Sequence, residues 1–161
     1  GSIIDELRKI DWVPQGVRKK ARKLQNAFSE LEQHFGRSIS DEDICDYFDI
    51  TKEELQKTYA EIAALYGILS FDELIGYEAT DKPSNLPDVQ AEKEEIKDIL
   101  GNAINKLPPR EKQVVTLYYY EGLNFKEIAQ VLELTQGRIS QLHTKSILRL
   151  RGHLSKKRLR P

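Results

Sequence analysis

A chain of 161 residues, 39% of them hydrophobic, has room for one large domain or two small ones, and its net charge of −1 by itself argues against a nucleic-acid partner. A single cysteine, Cys45, excludes an internal disulfide and fits a reducing compartment. No apolar run approaches the ~20 residues of a membrane span, no signal peptide is visible, and the opening at Gly1-Ser2 is that expected of a piece of something longer.

Ile3, Ile4, Leu7 and Ile10 recur at helical spacing until Asp11-Trp12-Val13-Pro14 interrupts them, with Trp12 expected to anchor the turn. From Gln15 to Phe35 the residues Val17, Ala21, Leu24, Ala27, Phe28, Leu31 and Phe35 form one apolar stripe, which Gly36 ends. Ser40 with Asp43 is a loose capping box that opens a short helix through Phe48. Thr51 with Glu54 is a standard one and opens a helix to about Leu65.

Tyr66 to Asp88 holds Gly67, Gly76, Pro83, Ser84 and Pro87 among acidic residues, a composition that reads as a linker. Ile68, Leu69, Phe71, Leu74 and Ile75 are too apolar for a spacer and are expected to dock on something. Helices are then expected from Val89 to Leu107 and from Pro109 to Tyr120, with Pro109 suited to a first turn. Of the three consecutive tyrosines, at least one should be core and one exposed. Asn124 with Glu127 caps a short helix to Glu133, and Thr135 opens the last. Without sustained period-two alternation, the chain reads as all-α. It divides into two small helical domains, residues 1–66 and 89–161, joined by an acidic linker at 67–88.

Charge is segregated along this frame. From Leu134 to the end stand eight basic residues, Arg138, Lys145, Arg149, Arg151, Lys156, Lys157, Arg158 and Arg160, and no carboxylate side chain. Between Ser70 and Leu100 the balance is acidic.

Ser40–Lys57 and Asn124–Gln141 superimpose without gaps. Ile44 matches Ile128, Phe48 matches Leu132, Ile50 matches Leu134, Thr51 matches Thr135 and Leu55 matches Ile139. Short helix, apolar turn residue, capping Thr and second helix is the layout of a helix-turn-helix corner. The outer faces differ. The second helix of the first copy starts Lys52-Glu53-Glu54, which phosphate would repel. In the second copy the same places hold Gln136, Gly137 and Arg138, followed by Ser140 and Gln141. Arg and Gln make bidentate contacts to base edges, and Ser is less selective. Thr135 and the helix N-terminus suit a phosphate, while Lys145, Arg149 and Arg151 extend positive charge for contact with the DNA backbone. Against this stands the plain alternative of a capped, solvated basic helix; the turn pattern and the carboxylate-free tail favour DNA. The first copy reads as mainly structural.

These residues resemble the bacterial sigma factors, the RNA polymerase subunits that recognise promoters. Leu107–Arg151 (LPPREKQVVTLYYYEGLNFKEIAQVLELTQGRISQLHTKSILRLR) looks like the family's fourth domain, and Gly1–Arg22 is similar to the start of the third domain in the motility and sporulation-type branch, whose best-known member is the flagellar sigma factor. The resemblance implies an alternative sigma factor without chemistry of its own. Promoter DNA would be read at the −35 element, core RNA polymerase bound at its β flap and RNA exit channel, and an anti-sigma partner would hold it inactive, all in the cytoplasm with the nucleoid. It implies upstream promoter contact through Arg8, Arg18, Lys19, Lys20, Arg22 and Lys23, and flap contact through Leu117, Tyr118, Tyr119 and Tyr120. The acidic linker would lie near the polymerase active centre. Gly137 and Ser140 depart from the side chains of many relatives, which points to a different promoter sequence. The family's second domain, which melts the −10 element, has no counterpart in these residues, so alone they are not expected to open a promoter.

Cys45, at the place matching Ala129, is expected to pack rather than react. His34, His143 and His153 lack ligand spacing, so no metal is expected, nor any cofactor. No phosphate loop or nucleophile–base arrangement suggests catalysis. The rivals are a free-standing helix-turn-helix regulator and a protein-interaction module whose same surfaces an anti-sigma partner would mask.

Overall fold

The computed structural model describes residues 15–67, 69, 71–75 and 87–158. The expected helix before Pro14, Trp12, Arg8 and most of the acidic linker lie outside the described residues. All regular structure among the described residues is helical: α1 Gln15–Phe35, α2 Asp41–Phe48, α3 Lys52–Tyr66, α4 Phe71–Ile75, α5 Pro87–Asn105, α6 Pro109–Val115, α7 Phe125–Leu132 and α8 Gln136–Arg158.

Local chemistry sets these boundaries. The stripe of α1 buries Ala21, Leu24, Ala27, Phe28 and Leu31, and Gly36 ends the helix at φ 68°. Phe35 departs from the expected stripe: it is half exposed, with the Arg37 guanidinium 5.0 Å from its ring centre. Ser40, Thr51 and Asn124 each accept a hydrogen bond from the backbone N–H three residues on, and the carboxylates of Asp43, Glu54 and Glu127 accept one from the cap residue's own backbone N–H. The loose box at Ser40 is therefore a full one. Pro109 starts α6 where an N–H has no helical partner in any case. A π-helical turn, Thr116–Tyr120, follows α6. It rotates the three tyrosines apart: Tyr118 and Tyr119 are partly buried and Tyr120 is 64% exposed.

Of the apolar linker residues, Leu69, Phe71, Leu74 and Ile75 dock on the main core, and Ile68 lies outside the described residues. Leu74 and Ile75 of α4 are buried against α8, and the Phe71 ring lies 4.0 Å from that of Tyr119. Cys45 is partly buried against the main core, where burial pushes its thiol pKa up, so it packs rather than reacts.

The architecture centres on α8, which packs on α1, α3, α4, α5, α6 and α7. One core cluster is local to the second half and consists of Val114, Ile128, Ala129, Ile139 and Leu142. The larger cluster joins Phe28, Ile44, Leu55, Tyr59 and Ile62 of the first half to Ile104, Val115, Ile147, Leu148 and Leu150 of the second. From Leu142 to Leu150 every residue of α8 is buried, the polar ones included.

Both corner turns pass through a non-glycine residue at positive φ, Asp49 at 53° and Glu133 at 57°. A Cβ there is disfavoured, so Glu133→Gly is expected to raise stability by about 0.5–1 kcal/mol in urea denaturation. A loss of stability would show that the Glu133 side chain supports the turn.

Candidate nucleic-acid interface

The two corners are backbone copies of each other. In the first, Ile50 donates from its N–H to the Cys45 carbonyl at 3.1 Å; in the second, Leu134 donates to Ala129 at 3.0 Å. Ile44 and Ile128, like Leu55 and Ile139, are fully buried at matching places. The turn thus fixes α8 against α7 by the same contacts that fix α3 against α2.

On α8 the first turn is open. Gln136, Gly137 and Arg138 are exposed, and Thr135 caps the helix by accepting from the Arg138 N–H at 3.1 Å. A Cβ built on Gly137 would meet nothing within 4 Å, so packing does not require glycine there. Space in front of the helix is what that glycine leaves. Arg138 Nη1 donates to Gln141 Oε1 at 3.2 Å, which aligns the two side chains on one face.

Further along, the base-reading candidate Gln141 and the phosphate candidates Lys145, Arg149 and Arg151 have protein partners. Gln141 donates to the Gln56 side chain of α3. Lys145 Nζ lies 2.8 Å from Asp41 Oδ1 and 5.6 Å from the Tyr59 ring centre, and the Tyr59 hydroxyl donates to the same carboxylate oxygen at 3.1 Å. Arg149 is gripped on several sides. Its Nε and Nη2 donate to the two oxygens of Glu111 at 3.0 Å each, Nη2 also donates to the Ile39 carbonyl at 3.2 Å, Nη1 pairs with Glu32, and the Phe28 ring centre is 4.8 Å away. Arg151 donates from Nε to Gln25 Oε1 at 2.9 Å and from Nη1 to the Leu74 carbonyl. The continuous basic face expected along α8 is thus an exposed first turn followed by paired cations, Lys145 and Arg149 buried and Arg151 partly buried, because the first half packs against the helix there.

A groove of about 730 Å³ runs between the corners, with Asp41, Glu42, Lys52 and Gln56 facing Arg138, Lys145 and Arg149. Of the upstream-contact candidates, Arg18, Lys19, Lys20 and Arg22 all lie on the exposed side of α1, with Lys20 Nζ 3.2 Å from Glu61 Oε2. Leu117 and Tyr118 pack on the cluster of the second half, Tyr119 packs on the cluster that joins the two halves, and Tyr120 alone of the four flap candidates is exposed.

Sequence reasoning missed Glu111, whose carboxylate is buried under Arg149. Its signal was slight: one acidic residue after Pro109, in a place that suits any helix N-terminus. No group of His, Cys, Asp and Glu among the described residues could hold a metal ion, and no helix among them is long and apolar enough to cross a membrane.

Comparisons with known proteins cover both halves. Residues 103–152 match the family model of sigma-70 region 4. The RNA polymerase sigma factor FliA of Yersinia enterocolitica is 35% identical across 96% of this chain and 70% of its own length. The RNA polymerase sigma-D factor of Bacillus subtilis is 34% identical across 97% of this chain and 65% of its own length. A cocrystal structure of a flagellar sigma/anti-sigma complex, Sigma-28/FlgM, aligns at a TM-score of 0.52 and 36% identity, over 94% of this chain and 66% of that one. The chain therefore spans about two thirds of the length of these relatives.

Proposed function

The chain belongs to the flagellar-type sigma factors of bacterial RNA polymerase, and on that premise we propose that it reads the −35 promoter element through the first turns of α8. The observation that carries this reading is the contrast between the two corners. Their backbones and fully buried residues match, and only the second presents exposed Gln136, Gly137 and Arg138 where the first has Lys52, Glu53 and Glu54. Gln136, Arg138 and Gln141, with Ser140 behind them, are the base-reading set. Thr135 and Lys145 are the phosphate set, together with Arg151 at the far end of the helix. Arg149 falls outside it, because its guanidinium is committed to Glu111, Glu32 and the Ile39 carbonyl.

The exposed cations of α1, Arg18, Lys19, Lys20 and Arg22, suit duplex upstream of the −10 element. Tyr120 is the residue best placed to meet the polymerase flap. An anti-sigma protein is the natural antagonist, given the Sigma-28/FlgM complex that this chain resembles. The protein acts by positioning polymerase in the cytoplasm, without catalysis or cofactor. A free-standing regulator is disfavoured, since the likeness to sigma factors extends over both halves.

Arg138→Ala is expected to weaken binding of a −35-type duplex by ~1–3 kcal/mol and to relax preference at one base pair. Equal weakening on every sequence would move Arg138 from base reading to phosphate. Failure of purified core polymerase to retain the chain would count against the sigma reading itself.

A further inference from the structure

Where α1, the end of α3 and the last turns of α8 meet lies a pocket of about 500 Å³. Arg18 and Arg22, one helical turn apart on α1, and Arg151 of α8 stand around it. No carboxylate lines it among the described residues, whereas the groove between the corners mixes Asp41, Glu42 and Glu111 with its cations. Three guanidiniums without a carboxylate make a site for an anion, and the planar fork of Arg matches phosphate. The C-terminal end of α3 opposes an anion with about half a charge. Its last carbonyls are occupied, since Ala63 accepts from the Gly67 N–H at 2.9 Å and Tyr66 from the Leu69 N–H at 3.2 Å. Three full charges outweigh it.

Charge is not all that the pocket offers. Leu65, Tyr66 and Leu69 give it an apolar wall, and Asn26 adds an amide that can both donate and accept. Tyr66 is 4% exposed, yet its hydroxyl has no hydrogen-bond partner among the described residues. Burial pushes that phenol up to about 12 against the pull of Arg151, so the hydroxyl stays protonated and can donate to an anion. Arg151 is set in place beforehand, donating from Nε to Gln25 Oε1 at 2.9 Å and from Nη1 to the Leu74 carbonyl. Arg22 has neither a hydrogen bond nor an ion pair among the described residues. The volume falls within the range of about 300–1,000 Å³ for small-molecule sites.

We propose that this pocket binds a nucleotide, with its phosphates on Arg18, Arg22 and Arg151 and its base against Leu65, Tyr66 and Leu69. Inorganic phosphate would leave the apolar wall uncovered, and a base covers it while its edge meets the Asn26 amide. Lys19 and Lys20 do not line the pocket, so α1 keeps a separate face for duplex. The site does not depend on the reading of α8 as the DNA-reading helix.

Equilibrium dialysis of the full 161-residue chain at low salt tests it, with ATP, GTP and inorganic phosphate as separate probes. The expected result is one-to-one binding of at least one nucleotide, about tenfold or more tighter than inorganic phosphate because the base buries apolar surface. No binding of either nucleotide would overturn the site. Inorganic phosphate bound as tightly as both would overturn the part given to the apolar wall. Arg22→Gln keeps an exposed polar side chain and removes one charge, and it should weaken the nucleotide about tenfold. Tyr66→Phe keeps the buried ring and removes only the hydroxyl, for an expected loss of about threefold to tenfold. Unchanged nucleotide affinity in both variants would overturn the proposal. A short random-sequence duplex separates a free nucleotide from the phosphates of DNA, since Arg18 and Arg22 are also upstream-contact candidates. Tyr66→Phe should leave duplex affinity as it is. An equal loss for duplex and nucleotide would assign the pocket to the DNA backbone and overturn the proposal.

Discussion

Arg149→Ala is expected to cost about 3–5 kcal/mol of folding stability, the range for breaking a buried ion pair by removing one partner. Side-chain exposure is 7% for Arg149 and 6% for Glu111, so neither charge has water to fall back on. Burial pushes the Glu111 carboxyl up from its ordinary pKa against the opposing pull of Arg149; with the guanidinium gone only the upward push remains. The Ile39 carbonyl and Glu32 lose their donor as well. Because Arg149 ties α6 to α8 and both to the first half, the loss should appear as one cooperative shift in urea denaturation. Arg149→Ala with Glu111→Gln should recover part of it, since no unpaired charge is then left inside. A loss below about 1 kcal/mol in the single variant would show that water reaches the pair, and Arg149 would return to the DNA-binding candidates.

The same pair shows where sequence reading stops. Boundaries set by neighbours in the chain were legible: the α1 stripe, three capping boxes and Pro109 at a helix start all depend on residues a few positions apart. So was the duplicated corner, where Ile44, Ile128, Leu55 and Ile139 are fully buried and the other apolar matches partly so. The second half of α8 was not legible in this way. Lys145, Arg149 and Arg151 have the spacing of a solvated basic face, and what buries them are Asp41, Glu32 and Gln25, far away in the sequence. A buried cation and an exposed one look alike until the partner is located.

His143 gives the second large effect, and its sign follows from its burial. It is 5% exposed, set among Tyr118, Tyr119, Phe125 and the partly buried Ser140, and burial alone lowers its pKa from 6.5 to about 4. The Tyr119 hydroxyl lies 2.5 Å from Nε2; burial pushes that phenol's pKa up, so it stays protonated and able to donate to the neutral ring. An imidazolium could not accept that bond. The unfolded chain takes up its proton near pH 6.5 and the folded chain only near 4, so stability is full above 6.5 and lost as pH falls through that window. The loss should reach up to about 3 kcal/mol for this one group, from the size of the shift. Carboxylates held below their ordinary range, such as Asp43 beside Arg37, act lower: their contribution is present above 3.8 and lost below it. The two regimes therefore separate along the pH axis. Urea denaturation from neutral pH down to about 4 should show the histidine phase, and His143→Gln should flatten it while leaving the more acidic loss in place. A wild-type curve already flat across that window would mean that the folded protein accommodates an imidazolium among these rings, and the aromatic cluster at the junction of α4, the π turn and α8 would then have to be open to water.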